Sequence, residues 1–346
     1  MLAVVIWLLA ACNQAPEPGS AEETATVKNL PDQAIEEPFE MASWTNVTLG
    51  VANLDAALAL WVDTFGFEVS LQSEGPDSGL AHLWDLQAQD IARQAVVRTP
   101  GERTGMIHLV EFNDPQPPIR QGAEVFDLVP KNLDIHVRDL PARVEELKAA
   151  GMRFRNENYS EVTIPGGGIF REIHMPAHDE VNVVLLEVIG EELPYTSRGF
   201  AGVGPVITIV PDAGEEKQFY QDILGLDILS DNILAGPEIE KMVGLPPGAA
   251  LDVSVLGNEK QHFGRIEIVD YQGVEGEDLY PRARPKALGT LQVSYTISDL
   301  QPLISRLEAA GIRYTRYGEV RTLLGSGEAI AFHSPAGFRI EAHQRP

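Results

Sequence analysis

Three polar side chains alternate with aliphatic ones over residues 132–136, which read Asn-Leu-Asp-Ile-His. Successive residues of a β-strand point to opposite faces, so Asn132, Asp134 and His136 would share one face of a strand. A carboxylate beside an imidazole favours the charged ring and moves its pKa toward the range in which acid–base catalysts work. The spacing therefore predicts a polar cavity in which Asp134 and His136 act as the catalytic proton-transfer pair.

The strand that carries these residues opens a unit that the chain contains four times. In each copy a short alternating strand ends near an Asp or Asn, an amphipathic helix follows, and a Gly ends the helix. The strands begin at Asn46, Asn132, Pro205 and Gln292, so the last two copies follow the first two after 159 and 160 residues (205 − 46 and 292 − 132). Because a repeat sets the architecture of the whole chain, we expect two domains of two modules each.

The repeat also gives the domain boundaries, and 346 residues are enough for two domains that each bury a core. The first domain is predicted at 42–191, with modules at 42–115 and 120–190. A linker follows at 192–202, and the second domain is predicted at 203–346, with modules at 203–275 and 286–346. The predicted helix caps are Asp139, Asp212 and Asp299. Residues 79–86 are expected to form a strand of the first module.

The composition excludes one class of partner. The formal net charge is −25, and such a field repels the phosphates of nucleic acids, so we expect no binding to DNA or RNA. The chain has one cysteine, Cys12, which rules out an intrachain disulfide and a multi-cysteine metal site.

The first 41 residues differ from the rest of the chain. Residues 1–11 form an apolar run that is too short to span a bilayer but has the length of a signal-peptide core. Leu9-Ala10-Ala11-Cys12 resembles the bacterial lipobox, which implies lipidation of Cys12. Residues 12–41 are acidic and rich in proline, which predicts a disordered tether. We therefore expect a membrane anchor at Cys12 and folded domains that face the periplasm or the exterior of a bacterial cell envelope.

The repeated unit resembles the vicinal oxygen chelate superfamily, which includes glyoxalase I, bleomycin-resistance proteins and extradiol dioxygenases. The resemblance rests on the four copies in register, on a V-x-D-L junction that residues 137–140 match fully and the other copies match in part, and on residues 334–341, SPAGFRIE, which are similar to the family's D-P-x-G-x-x-x-E strand. It implies an α+β fold of four βαβββ modules, paired into two glyoxalase-like domains. Each domain would be a curved, cup-shaped sheet with helices on its outer face.

The resemblance also implies metal ligands on the first and last strands of each module. The matching positions on the first strands are Asn46, Asn132 and Gln292, with Pro205 in the third module; those on the last strands are Glu111, Glu187, Asp270 and Glu341. If consecutive modules pair, Asn46, Glu111, Asn132 and Glu187 share one cup. Oxygen donors of this kind suit Mg²⁺, Mn²⁺ or Ca²⁺ better than Fe²⁺, which favours imidazole, and a protein without a metal is the alternative.

Three functions remain open at this point. The first is a lyase, isomerase or dioxygenase that acts on a small oxygen-rich molecule, with a divalent metal, Mg, Mn, Ca or Fe, as cofactor. The second is a binding protein that holds a small molecule without chemistry, as the bleomycin-resistance relatives do. The third is a structural scaffold at the cell envelope.

Overall fold

The computed structural model describes residues 22–23, 43–163 and 168–345. Within these ranges the four predicted βαβββ modules are present. Module one contains β2 (Asn46–Val51), α1 (Leu54–Leu58), a π-helical continuation (Ala59–Thr64), β3 (Glu68–Glu74), α2 (Ser78–Leu83), β4 (Ile91–Arg98) and β5 (Met106–Phe112). Module two contains β6 (Pro130–Val137), α3 (Leu140–Ala149), β7 (Ser160–Thr163), β8 (Ile169–Pro176) and β9 (Asn182–Val188).

The second half of the chain repeats this order. Module three contains β10 (Phe200–Ile209), α4 (Ala213–Leu224), β11 (Asp227–Ala235), α5 (Pro237–Val243), β12 (Ala250–Gly257) and β13 (Arg265–Gln272). Module four contains β14 (Gly289–Ile297), α6 (Gln301–Ala310), β15 (Tyr314–Thr322), β16 (Gly325–His333) and β17 (Arg339–Gln344). A two-residue strand, β1 (Glu22–Glu23), pairs with β15 at the edge of the sheet.

The strands form two curved sheets. In each module the first and last strands are parallel neighbours, and the modules are joined where two first strands pair antiparallel. One sheet has the order β3-β4-β5-β2-β14-β17-β16-β15-β1, and the other β7-β8-β9-β6-β10-β13-β12-β11. We name the sheet of modules one and four cup one, and the sheet of modules two and three cup two.

This pairing corrects the expected one. The prediction that consecutive modules share a cup, with one cup in 42–191 and the other in 203–346, is wrong, because β2 pairs with β14 and β6 pairs with β10. The first strands of all four modules have the same kind of edge. The repeat therefore predicts the number of modules but not which two modules share a sheet. The segment between β5 and β6 packs against both cups, with Ile119 in the apolar cluster of cup one and Val125 against that of cup two.

Helices α1, α3, α4 and α6 cover the outer faces of both sheets. Leu140, Val144 and Leu147 of α3 are buried there, as their helical spacing predicts. One apolar core runs along the helix side of all four modules, and each cup has a smaller apolar cluster on its inner face. The predicted caps are confirmed where Asp139 and Asp212 accept backbone N–H bonds at the starts of α3 and α4.

Module one departs from the predicted pattern at residues 79–86, which were expected to form a strand. Asp77 accepts a hydrogen bond from the Leu80 backbone N–H at 2.8 Å and begins α2 instead. Leu80, Leu83 and Trp84 pack into the inner cluster of cup one. The helix therefore occupies the space that an open cup would leave to a ligand.

Cys12 and the apolar run 1–11 lie outside the described residues, so the lipid anchor and the envelope location stay predictions. Within the predicted tether at 12–41, the described residues Glu22 and Glu23 form β1 rather than part of a spacer, because the edge of β15 offers unpaired backbone groups. In the described parts of the chain no helix has the length and apolar character needed to cross a membrane.

Candidate functional site

Strand β6 presents its polar residues to the inside of cup two. Leu133, Ile135 and Val137 are fully buried in the core on the helix side of the sheet, so the alternate residues face the cup. The prediction that Asn132, Asp134 and His136 share one face is therefore confirmed. Asn132 and Asp134 line a cavity of about 210 Å³ between modules two and three.

The cavity of cup two has one apolar wall and one polar wall. Strands β9, β10 and β12 contribute aliphatic side chains to it, and Met242 and Val243 of α5 lie at its edge. The polar wall consists of Lys131, Asn132, Asp134, Glu172, His174, Glu267 and Tyr271. A concave, mainly apolar space with a few converging polar groups is the usual form of a small-molecule site.

Hydrogen bonds hold part of the polar wall in place. The Asn182 amide donates to Asn132 Oδ1 at 2.9 Å and lies 3.2 Å from His174 Nδ1. His174 Nε2 lies 3.2 Å from a Glu172 oxygen, so a continuous chain of polar contacts runs from Asn132 to Glu172. Beside it, Lys131 Nζ donates to the Tyr271 hydroxyl at 2.8 Å.

Two carboxyl groups in the cavity keep their protons to unusually high pH. Burial raises the pKa of Asp134 well above its ordinary value, and Glu267 and Glu172 raise it further. Burial and the nearby Glu172 likewise raise the pKa of Glu267 to about 8, against the opposing effect of Lys131. Asp134 Oδ1 is buried and has no hydrogen-bond partner among the described residues. Perturbed carboxyl groups that converge on a cleft are characteristic of acid–base sites.

Glu267 was not among the predicted site residues, although the sequence contains a signal for it. Residues 265–267 read Arg-Ile-Glu, as do residues 339–341. Glu267 lies opposite the third residue of β10, counted from Pro205, and Glu341 lies opposite the third residue of β14, counted from Gln292. Glu267, rather than Asp270, is therefore the counterpart of Glu341.

His136 does not complete the predicted catalytic pair. Its ring lies against Gly204, where an added Cβ would come within 2.5 Å of Nε2, and 6.1 Å from the ring of Phe263. Neither ring nitrogen forms a hydrogen bond with any described residue, so His136 and Asp134 are not joined. Burial, together with the nearby side chains of Arg265 and His262, lowers the pKa of His136 to about 3. The prediction of an Asp134–His136 proton shuttle is wrong.

Three of the predicted metal ligands lie on the helix side of the sheets. Glu111 accepts the Leu54 backbone N–H at 3.0 Å at the start of α1, and Glu187 accepts the Asp139 N–H at 2.9 Å before α3. Asp270 is hydrogen-bonded in the same way to the backbone N–H of Ala213, the first residue of α4. The prediction that they face a cup is wrong because an offset of one residue along a strand reverses its faces.

The remaining predicted ligands of cup one bind a neighbouring hydroxyl group or an internal cation. Asn46 Nδ2 donates to the hydroxyl of Thr48 on the same strand at 3.5 Å. The Arg339 guanidinium donates to Gln292 Oε1 at 2.8 Å and to Glu341 Oε1 at 2.8 Å. Arg339 therefore lies between the two positions of module four where the resemblance implies metal ligands.

The Glu341 carboxylate in cup one is bound by three neighbouring side chains. Trp84 Nε1 donates to Glu341 Oε1 at 3.0 Å, and His343 Nε2 lies 3.1 Å from the other carboxylate oxygen. Burial alone would raise the pKa of Glu341, but Arg339 and His343 lower it to about 2. On module one, burial lowers the pKa of His108 to about 4. The Glu341 carboxylate is therefore ionised, and both of its oxygens have partners.

The residues present do not fit the metal that the resemblance implies. Across the described ranges, no three His, Cys, Asp or Glu side chains are arranged so that they could hold a metal ion. The predicted donors cap helices, bind Arg339, or pair with neighbouring amides and hydroxyls. The candidate site is therefore the cavity of cup two with its own acidic and basic side chains.

Comparison with known proteins identifies the fold. No protein-family model and no curated protein sequence matches the chain. A point mutant of glyoxalase I from Zea mays superposes with a TM-score of 0.59 at 13% identity, over 87% of this chain and 92% of that one. A putative dioxygenase from Bacillus subtilis superposes with a TM-score of 0.56 at 11% identity, over 89% and 86% of the two chains. These similarities show the vicinal oxygen chelate fold, as the repeat predicts.

Proposed function

We propose that this protein, which has the vicinal oxygen chelate fold, is an acid–base enzyme that binds a small molecule in the cavity of cup two. The observation that carries the proposal is the pair of carboxyl groups of Asp134, which is buried, and Glu267, which is half-buried, at the wall of an otherwise mainly apolar cavity. The cavity is smaller than the roughly 300–1,000 Å³ of pockets for drug-sized ligands, so it suits a smaller molecule. Two structural neighbours carry enzyme names, which supports the class.

The chemistry follows from the proton affinities of the two carboxyl groups. Glu267 raises the pKa of Asp134, and Glu172 raises the pKa of both, so the two carboxyl groups lose their protons one after the other and the pair contains both a proton donor and a proton acceptor over a range of pH. The ionised member removes a proton from a carbon next to a carbonyl group, and the protonated member donates to the carbonyl oxygen. The bound molecule becomes an enol, and the reverse steps restore the ketone. No metal ion is needed for this proton exchange.

Deuterium exchange tests the proposal without knowledge of the natural substrate. 2-Hexanone and 2-oxohexanoate are incubated with the protein in D₂O, and loss of the hydrogens next to the carbonyl is followed by NMR. We expect exchange with the wild-type protein and a decrease on the order of 100-fold in Glu267→Gln and Asp134→Asn. Glu111→Gln, on the helix side of cup one, is the control and should exchange as the wild type does.

A non-catalytic binding protein is the second candidate, and the apolar wall of the cavity favours it. In that case the same ketones bind to the protein, but their hydrogens exchange no faster than in buffer. Binding without exchange would contradict the proposal of an acid–base enzyme. Exchange that continues unchanged in both cavity variants would also contradict it.

A further inference from the structure

A second pocket of about 240 Å³ adjoins the cavity of cup two. Three cationic side chains, Arg120, Lys131 and Arg155, line it together with His174, and Glu180 is its one acidic lining residue. We name it the basic pocket. It stands out because acidic residues outnumber Lys and Arg in this chain by 51 to 26, so a local excess of cations is unusual.

The three cations of the basic pocket have only neutral partners. Arg120 donates to the backbone carbonyl oxygens of Glu124 and Asp127, and Lys131 donates to the Tyr271 hydroxyl. Arg155 donates to Asn182 Oδ1. Within the described part of the chain, no carboxylate forms an ion pair with any of the three. Their charge is therefore available to a bound anion.

The cations also disfavour one another while the pocket holds no anion. Burial lowers the pKa of Lys131 to about 7, and Arg120 and Arg155 add to this effect, which the carboxylates of Glu172 and Glu267 oppose. The pKa of Arg120 is lowered by burial and by Arg155 as well, against Asp127 and Glu180. An anion among them would relieve this repulsion.

The basic pocket and the cavity adjoin each other. Lys131, His174 and Val243 line both, so a ligand that passes these three side chains would extend from the charged space into the apolar one. The two ends differ in chemistry, since the cavity offers a wall of aliphatic side chains and the basic pocket offers guanidinium and ammonium donors. Guanidinium groups bind carboxylate and phosphate groups through paired hydrogen bonds.

We propose that the basic pocket binds the oxyanion head group, a carboxylate or a phosphate, of a ligand whose apolar tail lies in the cavity of cup two. This inference rests on the proposed function, because the tail occupies the cavity in which the proton transfer would take place. It assigns the substrate class: a small amphipathic anion, with the head fixed by Arg120, Lys131 and Arg155.

Three probes with the same six-carbon tail test the assignment. Hexanoate, hexyl phosphate and hexanol are titrated into the protein by calorimetry, and the ratio of their affinities measures the contribution of the head group. We expect at least one of the two anions to bind about tenfold or more tightly than hexanol, and the preferred anion identifies the head. Arg155→Gln and Arg120→Gln should reduce this preference about tenfold each. Arg153→Gln, an exposed neighbour outside the pocket, is the matched control and should keep it.

The inference and the proposed function can fail separately. Equal binding of all three probes, no binding of any, or an anion preference that survives both arginine variants overturns the anion pocket. Thermal melting shows whether each variant is folded, and a Lys131→Gln variant gives a second measure of the preference if one arginine variant unfolds. Failure of deuterium exchange in the wild type overturns the acid–base chemistry and leaves the head-group preference unaffected.

Discussion

Cup one and cup two carry a glutamate at the same position with opposite proton affinities. Glu341 in cup one has a pKa of about 2, because Arg339 and His343 outweigh the effect of burial. Glu267 in cup two has a pKa of about 8, because burial and Glu172 outweigh Lys131. Glu341 is buried and Glu267 is half-buried, and both lie on the inner face of a sheet of the same topology. The difference lies in which neighbours reach each carboxyl group.

A single residue on the adjacent strand explains much of this difference. Each glutamate is preceded two residues earlier by an arginine, Arg339 or Arg265, on the same face of its strand. Opposite Arg339 lies Gln292, whose carbonyl oxygen accepts from the guanidinium and helps to hold it over Glu341. Opposite Arg265 lies Pro205, which offers no side-chain acceptor, and Arg265 bonds the backbone carbonyl of Gln261 instead. Glu267 is therefore left without the ion pair that Glu341 has.

The inner faces of the two cups consequently differ in charge and in the space they leave. In cup one the charge is neutralised within the fold, and Trp84 and α2 occupy the interior, which suits a structural role. In cup two the carboxyl groups of Asp134 and Glu267 face a cavity and have high proton affinity, which suits chemistry. A duplicated fold can in this way keep one cup for stability and leave the other for a ligand.

Removal of Arg339 should have the largest effect. Arg339→Met leaves Glu341 buried without its cation, and breaking a buried ion pair at one partner costs about 3–5 kcal/mol. We expect a decrease of that size in the free energy of unfolding, measured with urea at neutral pH. Arg153→Gln, at an exposed position, is the control.

The double variant Arg339→Met, Glu341→Gln distinguishes the contribution of the ion pair to stability from that of side-chain packing. It removes the uncompensated charge, so most of the lost stability should return. If Arg339→Met is no less stable than the control, or if the double variant is as unstable as Arg339→Met alone, the charge pairing does not explain cup one.

Glu267→Gln should have a smaller effect of the opposite sign. The folded protein raises the pKa of Glu267 from 4.5 to about 8, so folding opposes its ionisation. Ionisation of Glu267 therefore lowers the stability of the wild type as the pH rises from about 4.5 to about 8, and the glutamine variant lacks this contribution. The full shift corresponds to about 4–5 kcal/mol near pH 8, and because Glu267 is half-buried and solvent screens its charge, we expect the variant to be more stable by on the order of 2 kcal/mol there, with little difference near pH 4.5.

Unfolding curves of both proteins across this pH range measure the difference. Lys131, with a pKa of about 7, titrates in the same window in both proteins, and because Glu267 raises its pKa and that of Asp134, the measured difference includes the response of these two groups to the substitution. Glu341→Gln provides the contrast, because its pKa is lowered and its stabilising contribution is lost only as the pH falls toward about 2. A destabilising effect of both substitutions near neutral pH would contradict the proposed difference between the cups.

The sequence predicts the modules better than it predicts their partners. Four copies in register are enough for the fold, and the alternation in β6 correctly gives the inner face of cup two. The pairing of module one with module four depends on contacts between strands that are far apart in the sequence. Because the first strands of all four modules have similar edges, the sequence does not show which two modules pair. The sequence does not predict helix α2, because the residues after Asp77 have the pattern of a strand. The hydrogen bond from the Leu80 backbone N–H to Asp77 nevertheless begins a helix there. The Arg-Ile-Glu repeat at 265–267 and 339–341 would have revealed Glu267.

Substitution of a carboxylate on the helix side of the sheets should have the smallest effect on the free energy of unfolding. Such a carboxylate lies in a third environment, which differs from those of the two glutamates inside the cups. Glu111 is about one-fifth exposed; it accepts the first N–H of α1 and pairs with Arg93. Glu111→Ala should therefore cost about 1 kcal/mol, as the loss of a helix cap does, and the binding of hexanol or hexanoate in cup two should not change. Urea unfolding and calorimetry of the same preparation measure both. A helix cap stabilises the fold and has no contact with the cavity. A loss of binding without a loss of stability would therefore contradict the capping role and indicate that Glu111 belongs to the ligand site.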